Sequence, residues 1–478
     1  MKNMIDHLFS RIEDYRSLTA VELGGLDWTY RQFGEMILQA GSWLGPLVNQ
    51  RGCLVVPANT IHSIACFYGL VLAEKLPMLS DPTWGISEIL DIASRLQTEI
   101  VVLDKRSSLA SAEYTFKVIS ESPEMLVVRL PILPKREISV HKDAAFVRFT
   151  SGSSGRPKAL QFDSRAAINA ADNWLSGAKL SSKSRVLCLA GISNGLAFNT
   201  SLLPVFLSGA ALILHDGPLL ASPILNSAIN SKATALVGFP FIYQLLLQSR
   251  KISTEHLANI KQFISSAAPL SNDIEVKWRD KFCIGIGSYY GLAEVGPVTF
   301  NPGEDIGGLG YPLKACSIKI VPDLKNERPI HDHGLVAVKT NSMALEYLSE
   351  DNHSINKNID ADGYFVTKDI GYLDHRAQLK ISARVDRVLN IAGKKFSAEE
   401  IERVIKMAPG VSNVWVGLEQ GKIDSFLVAY VETENSTDDE IKQFCLKTLK
   451  PAHVPDKIVA VRSLPKSVSG KTRSPFFK

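Results

Sequence analysis

The clearest chemistry in the sequence is a short run of hydroxyl, glycine and basic residues that directly follows the apolar residues 144–147. Glycine lets the backbone approach a ligand closely, and the N–H groups of such a loop can converge on an anion. The spacing does not fit the Walker A pattern. The run therefore predicts either a phosphate-binding loop or an ordinary solvated Ser/Gly turn. Its members are Thr150, Ser151, Gly152, Ser153, Ser154, Gly155, Arg156, Pro157 and Lys158.

The composition is that of an ordinary globular protein. The chain has 478 residues, of which 45% are hydrophobic and 21% charged, and its net charge is +4. This length suffices for two or three domains, and so small a charge gives no reason to expect a nucleic-acid partner. Six cysteines stand far apart without metal-ligand spacing, which predicts buried thiols in a reducing compartment.

Two segments bear on location. The first residues carry charge where a signal peptide needs an apolar core, so we expect no export signal and a cytoplasmic protein. The apolar stretch 195–214 includes Asn199, Thr200 and Pro204, which favours a buried helix and strand over a membrane span.

Strand-like and helix-like segments alternate between residues 26 and 294, and the runs 100–104 and 127–130 are predicted to continue this alternation. Such alternation predicts an α/β fold, a parallel sheet covered by helices, with ligands beyond the carboxyl ends of the strands. Residues 307–383 are turn-rich, as in an antiparallel subdomain. A small α+β unit follows. We therefore predict a large N-terminal domain at 1–384 and a small C-terminal domain at 385–478.

A second group of reactive side chains follows the strand-like run that starts at Cys283. It places Tyr289, Tyr290 and Glu294 beyond the predicted strand. Taken alone, Tyr290 fits a core aromatic residue better than a ligand-binding one, because burying ring area is the commonest use of tyrosine.

Together these motifs resemble the adenylate-forming superfamily, which includes acyl-CoA synthetases, nonribosomal-peptide adenylation domains and luciferases. Six stretches occur in the order typical of the family, at 150–158, 266–269, 290–294, 363–369, 387–402 and 465–471. The resemblance covers nearly the whole chain. It implies a large nucleotide-binding domain followed by a small mobile domain, and ATP-dependent activation of a carboxylic acid.

For the nucleotide, the resemblance implies that residues 150–158 hold the ATP phosphates and that Tyr290 stacks on adenine. It implies that Glu294 ligates Mg²⁺, a hard-oxygen role that suits this ion. Asp369 would accept the ribose hydroxyls, although a surface pair between Asp369 and Lys368 is an alternative. The remaining implied nucleotide contacts are Ala267, Ala268, Pro269, Tyr289, Gly291 and Arg384.

For catalysis, the resemblance implies two half-reactions. Lys471 would assist the attack of the carboxylate on the α-phosphorus, together with Thr150 and Glu294, although a solvated basic tail fits the charges around Lys471 equally well. The small domain would then turn about Asp386. Gly393 and Lys394 would enter the site in a loop for thioester formation.

The acid pocket is expected where amino-acid-activating relatives place an aspartate. The corresponding residues 191–198 contain no carboxylate, which disfavours an α-amino acid because a buried ammonium would be unpaired. Gly287 is expected to leave room for a moderately large acyl or aryl group. The candidate pocket residues are Ser193, Asn194, Phe239, Ile286, Gly287 and Ser288.

Three functions remain open from the sequence. The first is an acid–CoA ligase, and the second is an adenylation enzyme that loads the phosphopantetheine of a carrier protein or an amine. The third is a non-catalytic nucleotide-binding relative, suggested by three departures from the family pattern: Ala159, Ala293 and Lys368.

Overall fold

A computed structural model gives the structure of this chain, and it describes residues 3–48, 52–110, 116–131, 138–150, 157–322, 333–348, 354–391, 394–420, 425–467, 472 and 474–475. The helices are α1 Met4–Asp14, α2 Tyr30–Leu44, α3 Ile61–Leu72, α4 Ile86–Arg95, α5 Ser164–Ala178, α6 Gly195–Ala197, α7 Leu203–Ser208, α8 Ala221–Asn230, α9 Pro240–Gln248, α10 Asn272–Phe282, α11 Ala398–Ile405 and α12 Asp438–Thr448. The strands are β1 Thr19–Leu23, β2 Leu26–Thr29, β3 Cys53–Val56, β4 Pro77–Leu79, β5 Ile100–Asp104, β6 Lys117–Glu121, β7 Met125–Arg129, β8 Phe146–Thr150, β9 Lys158–Phe162, β10 Arg185–Cys188, β11 Ala211–Leu214, β12 Ala235–Gly238, β13 Gln262–Ser265, β14 Ile286–Leu292, β15 Gly296–Asn301, β16 Tyr311–Pro312, β17 Cys316–Val321, β18 Gly334–Thr340, β19 Glu346–Leu348, β20 Phe365–Leu373, β21 Leu379–Arg384, β22 Val388–Ile391, β23 Lys394–Ser397, β24 Val411–Gln420, β25 Ser425–Thr433 and β26 Lys457–Val461.

The chain divides into two compact units. Unit 1 comprises Met1–Ile318 with Val338–Phe365, and unit 2 comprises Lys319–Ala337 with Val366–Lys478. The division predicted between residues 384 and 385 falls inside unit 2. It stays a prediction about a smaller part of that unit.

The largest sheet formed by the described residues, sheet 1, has the order β16-β15-β14-β13-β12-β10-β11-β1-β2. Its central strands pair in parallel, and the strands at both edges are antiparallel. The central strands β11 and β12 are apolar and buried along their whole length, as parallel strands covered by helices are. The predicted α/β fold is confirmed.

A second sheet, sheet 2, has the order β19-β9-β8-β4-β3-β5-β7-β6. Strands β8, β4, β3 and β5 are parallel, but β7 runs antiparallel to β5. The prediction that residues 127–130 continue the parallel alternation is therefore wrong. The hairpin of β6 with β7 reverses the chain, because a parallel return would require a crossover connection of a dozen or more residues.

Local sequence explains where the helices begin. Thr29 accepts a hydrogen bond from the N–H of Gln32, and the Gln32 side chain accepts one from the N–H of Thr29. This capping box satisfies two N–H groups that the first turn of α2 would otherwise leave unpaired. Phe33 and Ile37 then face the core at helical spacing.

The helices behind sheet 1 enclose a large apolar cluster. Trp278 of α10 is fully buried, and its ring centroid lies 5.0 Å from that of Phe263 on β13 and 5.3 Å from that of Tyr243 on α9. The Tyr243 hydroxyl donates to the carbonyl of Ile264 at 2.7 Å. These contacts fix the strands whose ends carry the candidate site.

Unit 2 contains its own core. Helix α11 buries Ile401 and Ile405 beside Val416 and Leu427, which come from the sheet of order β24-β25-β26. Glu402 accepts a hydrogen bond from the N–H of Val416 at 2.7 Å and pairs with Arg387. The α+β unit predicted after Arg384 and the antiparallel pairing of β20 with β21 before it are both present.

The apolar stretch 195–214 is folded into α6, a π-helical turn Phe198–Leu202, α7 and β11. This agrees with the predicted buried helix and strand. Within the described part of the chain, no helix combines the length and the hydropathy that crossing a membrane requires.

The cysteines differ in exposure. Cys53, Cys66, Cys188 and Cys445 are buried, which confirms the prediction for these four. Burial raises the pKa of both the Cys53 and the Cys66 thiol to about 12. The prediction is wrong for Cys283, which is exposed because it ends α10 in a left-handed conformation at the surface, and Cys316 is only half-buried.

We expect a thiol reagent at pH 8 to modify Cys283 of the native protein first, because the thiolate is the nucleophile and the other thiols are wholly or partly shielded. Stopped-flow labelling of wild type should show one fast phase, which disappears in Cys283→Ser and persists in Cys445→Ser. A fast phase that survives Cys283→Ser would contradict this assignment of exposure.

Candidate active site

The carboxyl ends of the parallel strands of sheet 1 share one edge. Gly238, Ser265 and Ser288 lie at one register across β12, β13 and β14. Residues just beyond this register, including Phe239 and Ser266, therefore lie along the same edge, where ligands bind in such sheets. The segment after β10, which contains Ser193 and Asn194, begins at this edge too.

The two tyrosines lie within a strand rather than beyond one. Strand β14 extends to Leu292 because its hairpin partner β15 pairs with it as far as Gly296. Tyr289 is buried and Tyr290 half-buried, and Ser266 donates from Oγ to the carbonyl of Tyr289 at 2.9 Å. Ser266, the first residue of the motif 266–269, thus lies beside the strand segment that holds the predicted adenine-stacking residue Tyr290.

The residues after Ser266 turn sharply. Ala267 has a φ of +69°, a left-handed conformation uncommon for a residue other than glycine. Ala267 and Pro269 are exposed, and Ala268 is half-buried. Their nucleotide role, like that of Gly291, stays a prediction.

The candidate phosphate loop joins two paired strands. Thr150 is the last residue of β8 and lies directly opposite Lys158, the first residue of β9. Lys158 therefore belongs to a strand, whereas Ser151, Gly152, Ser153, Ser154, Gly155 and Arg156 lie outside the described residues. The pairing holds the two ends of the loop side by side.

Glu294 is held beside this hairpin. It lies in the turn between β14 and β15, and its Oε1 accepts a hydrogen bond from the Tyr347 hydroxyl at 2.9 Å. The Lys158 ammonium lies 5.3 Å from the centroid of the Tyr347 ring. Burial, followed by the negative charge of Glu294, raises the pKa of Tyr347, so the hydroxyl stays a neutral donor. Lys158, Tyr347 and Glu294 form one connected group.

A further charged residue, Arg148, lies on β8, two residues before Thr150. It is opposite Leu160 on β9, which is opposite Tyr347 on β19. Directly opposed residues share a face of a sheet, as do residues two apart on a strand. Arg148, Thr150, Lys158 and Tyr347 therefore face the same side.

Arg148 is buried, with 3% of its surface exposed. Its Nη1 donates to Asn199 Oδ1 at 3.4 Å, and its guanidinium carbon lies 4.4 Å from the centroid of the Phe198 ring. Burial lowers the pKa of Arg148 to about 10, against opposing electrostatic influences of Tyr289 and Glu294, so the group stays charged at neutral pH. Arg148, Asn199 and Tyr347 are not among the predicted site residues, although the charge of Arg148 in the apolar run 144–149 is a usable signal in the sequence.

The predicted acid pocket needs correction at β14. A Cβ on Gly287 would lie 3.1 Å from the carbonyl oxygens of Asn301 and Phe263 and 3.2 Å from the Phe300 ring, so the expected room is absent. Ile286 packs in the apolar cluster around Trp278 instead of lining an open pocket.

The remaining predicted pocket residues are placed as follows. Asn194 caps α6, accepting from the N–H of Leu196 at 2.9 Å, and Ser193 is half-buried. Phe239 is buried and stacks on Phe241, and Ser288 is buried. Their contact with an acid stays a prediction.

Unit 2 holds a second predicted group. Asp369 is 5% exposed, and its Oδ1 lies 2.9 Å from Arg384 Nη1. Burial alone would lower the pKa of Arg384, but its hydrogen bond to Asp386 and the charges of Asp369 and Asp386 raise it. Lys368 lies 3.9 Å from Asp386, and Asp369 is buried, so the alternative of an exposed Asp369–Lys368 pair is wrong.

Three of the residues implied for the two half-reactions are not fully described by the structure. Gly393 and Lys471 lie outside the described residues, and of Lys394 only the backbone in β23 is described. The ends of the Lys471 segment are fixed within unit 2. Lys466 bridges to Thr472, and Thr472 donates to Asn413 Oδ1 at 3.0 Å.

The donor set fits Mg²⁺ bound largely through a substrate. Among the described residues, no group of three or more His, Cys, Asp or Glu side chains could hold a metal by itself. Mg²⁺ in phosphate-transferring sites usually takes one or two carboxylates, with phosphate and water completing its shell. Glu294, oriented by Tyr347, could supply such a carboxylate.

The family comparisons agree with this site. The model of the AMP-binding enzyme family matches residues 8–348, and that of the AMP-binding enzyme C-terminal domain matches residues 400–471. The chain belongs to this family, which confirms the resemblance drawn from the motifs.

Among curated relatives, the chain is 24% identical over 448 residues to 4-coumarate–CoA ligase 2 of Nicotiana tabacum, covering 90% of this chain and 79% of that protein. It is 23% identical over 506 residues to 4-coumarate–CoA ligase of Vanilla planifolia, covering 97% and 91%. Its fold is similar to ATP-bound MatB from Rhodopseudomonas palustris, with a TM-score of 0.82 at 19% identity, over 98% of this chain and 97% of that one. The protein is an AMP-forming acid–thiol ligase.

We expect Tyr347→Phe to lower kcat/KM for ATP-dependent ligation about 10-fold, because it removes a hydrogen bond to a charged carboxylate. Tyr364→Phe is the matched control, since it removes a hydroxyl that contacts Ser317 away from Glu294. Steady-state kinetics and thermal unfolding of both variants test this. Equal kinetics in the two variants would show that the Tyr347 hydroxyl does not position Glu294.

Proposed function

We propose that this protein converts a carboxylic acid and ATP into an acyl-adenylate, with release of pyrophosphate, and then transfers the acyl group to the thiol of CoA. The observation that carries the proposal is the connected group of Lys158, Tyr347 and Glu294 beside the paired ends of the glycine-rich loop. The named activities of the curated relatives, which are CoA ligases, support it.

In the first half-reaction, a carboxylate oxygen attacks the α-phosphorus of ATP, and the bond to the bridging oxygen of pyrophosphate breaks. The loop from Thr150 to Lys158 would hold the leaving phosphates through hydroxyl and N–H groups and the Lys158 charge. Mg²⁺, held through Glu294, would supply charge neutralisation for the phosphates. Lys471 would add a cation where negative charge develops.

The nucleotide contacts follow the same pattern. Tyr290 would stack on adenine. Gly291 and the turn of Ala267, Ala268 and Pro269 would supply further contacts to the nucleotide. Asp369 would accept the ribose hydroxyls, and a carboxylate has acceptor sites for these in addition to its pair with Arg384. Arg384 would contact the nucleotide from the other side.

In the second half-reaction, the thiol sulfur attacks the acyl carbon, AMP leaves with the C–O bond electrons, and the thiol proton is released. Rotation about Asp386 would exchange Lys471 for the loop with Gly393 and Lys394, so that one pocket serves both steps. A carrier-protein phosphopantetheine or an amine is the alternative acceptor.

The acid is proposed to be other than an α-amino acid. The buried charge beside the predicted pocket is the guanidinium of Arg148, whose Nη2 would lie 3.0 Å from a Cβ placed on Gly195. A cation there would repel an α-ammonium group rather than pair with it.

The departure at Ala159 has a structural account that is compatible with activity. Ala159 is buried in β9 between Phe149 of β8 and Leu348 of β19. A side chain in the interior of a strand packs against its neighbours, whereas glycine would weaken the strand. We find no such account for Ala293.

Acid-dependent exchange of pyrophosphate into ATP tests the proposal directly. Short, medium, aryl and amino acids are compared, with and without CoA. Exchange with one class of acid and a thioester product with CoA would support the proposal. Exchange without any CoA product would point to a carrier protein or an amine, and no exchange from protein that binds ATP would favour a non-catalytic relative.

We expect Lys471→Ala to reduce adenylate formation at least about 100-fold, as the loss of a transition-state cation does, and to leave thioester formation from supplied acyl-adenylate largely intact. Lys466→Ala is the matched control, because Lys466 is a lysine of the same segment whose ammonium is already paired with Glu432 of β25, at 3.0 Å. Single-turnover assays of the two half-reactions separate the steps. Loss of both steps in folded Lys471→Ala would contradict this role.

A further inference from the structure

The buried guanidinium of Arg148 has few partners. An arginine carries five N–H donors. Among the described residues, the structure gives Arg148 one hydrogen bond, from Nη1 to Asn199 Oδ1, and its buried Nε has none. Within the same part of the chain no carboxylate forms an ion pair with it. As far as the described residues show, this fully buried cation has no paired counter-charge.

The surroundings compensate the charge only in part. The guanidinium lies 4.4 Å from the Phe198 ring centroid and 5.8 Å from that of Phe162. Cation–π contacts of this kind are worth less than the cost of burying an isolated charge. Glu294 acts on Arg148 only from a distance, and its carboxylate already accepts the Tyr347 hydroxyl. The site therefore favours an anion that arrives with a ligand.

Arg148 lies where the acid is expected. A Cβ on Gly195, next to the candidate pocket residues Ser193 and Asn194, would be 3.0 Å from its Nη2. Arg148 shares a face of β8 with Thr150, two residues further along, where the candidate phosphate loop begins. Two residues of a strand span about 7 Å. The distance from the start of the candidate phosphate loop to the Arg148 position on β8 is therefore short.

Two further buried residues near Arg148, Asn199 and Tyr289, carry polar groups. Asn199 is buried on the π-helical turn Phe198–Leu202, a rare geometry that occurs often at functional sites. Tyr289 is also buried, and its ring centroid lies 5.3 Å from that of Trp174. Arg148 thus has a buried amide and a buried hydroxyl residue in its surroundings, together with large aromatic rings.

We propose that Arg148 binds a second anionic group on the acid, so that the enzyme selects short dicarboxylic acids over monocarboxylic acids. The inference rests on the proposed adenylation. One carboxylate would react with ATP while the other pairs with the planar donor fork of Arg148, which matches two carboxylate oxygens. Asn199 would position the guanidinium.

The test compares matched acids in pyrophosphate exchange. Succinate and butanoate have the same number of carbons, as do glutarate and pentanoate, and each pair differs by one carboxylate. We expect wild type to prefer the diacid of a pair by about 100-fold in kcat/KM, as the loss of a charged hydrogen-bonded pair implies. Arg148→Met should abolish this preference, and Arg148→Lys, which keeps the charge, should retain part of it.

Arg250→Met, which alters an exposed arginine, is the matched control and should keep the wild-type ratio. Equal use of diacid and monoacid by wild type would overturn the inference, as would equal losses for both acids in Arg148→Met. If Arg148→Met does not fold, the diacid-to-monoacid ratios of kcat/KM for wild type and Arg148→Lys test the inference. Exchange with monoacids alone would refute the diacid selection and keep the adenylation, whereas no exchange with any acid would refute both.

Discussion

The candidate site depends on the antiparallel pairing of β8 with β9 and of β9 with β19. This pairing sets Thr150 opposite Lys158, so both ends of the glycine-rich loop are fixed at one point. It also sets Arg148, Leu160 and Tyr347 in one row. A shift by one residue would turn all of these side chains to the opposite face of the sheet. The register of three short strands thus positions the proposed phosphate-binding and acid-binding ends of the site together.

The sequence was sufficient for the fold class and the family. Alternating apolar runs predicted the parallel core, and the order of six motifs gave the family, whereas the roles that this resemblance implies for Tyr290, Glu294 and Asp369 stay predictions. Tyr347 could not be found in this way, because β19 joins β9 from almost two hundred positions further along the chain. Only the fold brings its hydroxyl to Glu294. Arg148 left a local signal, a charge in an apolar run, but its partners Phe198 and Asn199 come from another segment.

The errors at Gly287 and β7 share a physical cause. A glycine shows that space for a side chain is not needed, but not which neighbour occupies that space, and here Phe300 and two carbonyl groups do. An apolar run likewise shows that a strand is buried but not which way it points. Direction follows from the connection, and β7 returns through a hairpin. Packing and connection are properties of the whole chain.

The distribution of charge along β8 and β9 suggests why one sheet face can both hold phosphates and select an acid. Lys158 and Arg148 are both cations, and Leu160, fully buried, lies between Tyr347 and Arg148 in their shared row. Lys158 is half-buried at the loop, where hydrated phosphates can reach it, whereas Arg148 is enclosed, where attraction to an anion is strong because little water screens it. A buried charge discriminates between ligands more sharply than an exposed one, since an incorrect ligand leaves it unpaired. The two cations therefore suit different proposed tasks: the half-buried Lys158 the attraction of phosphates, and the buried Arg148 the discrimination among acids.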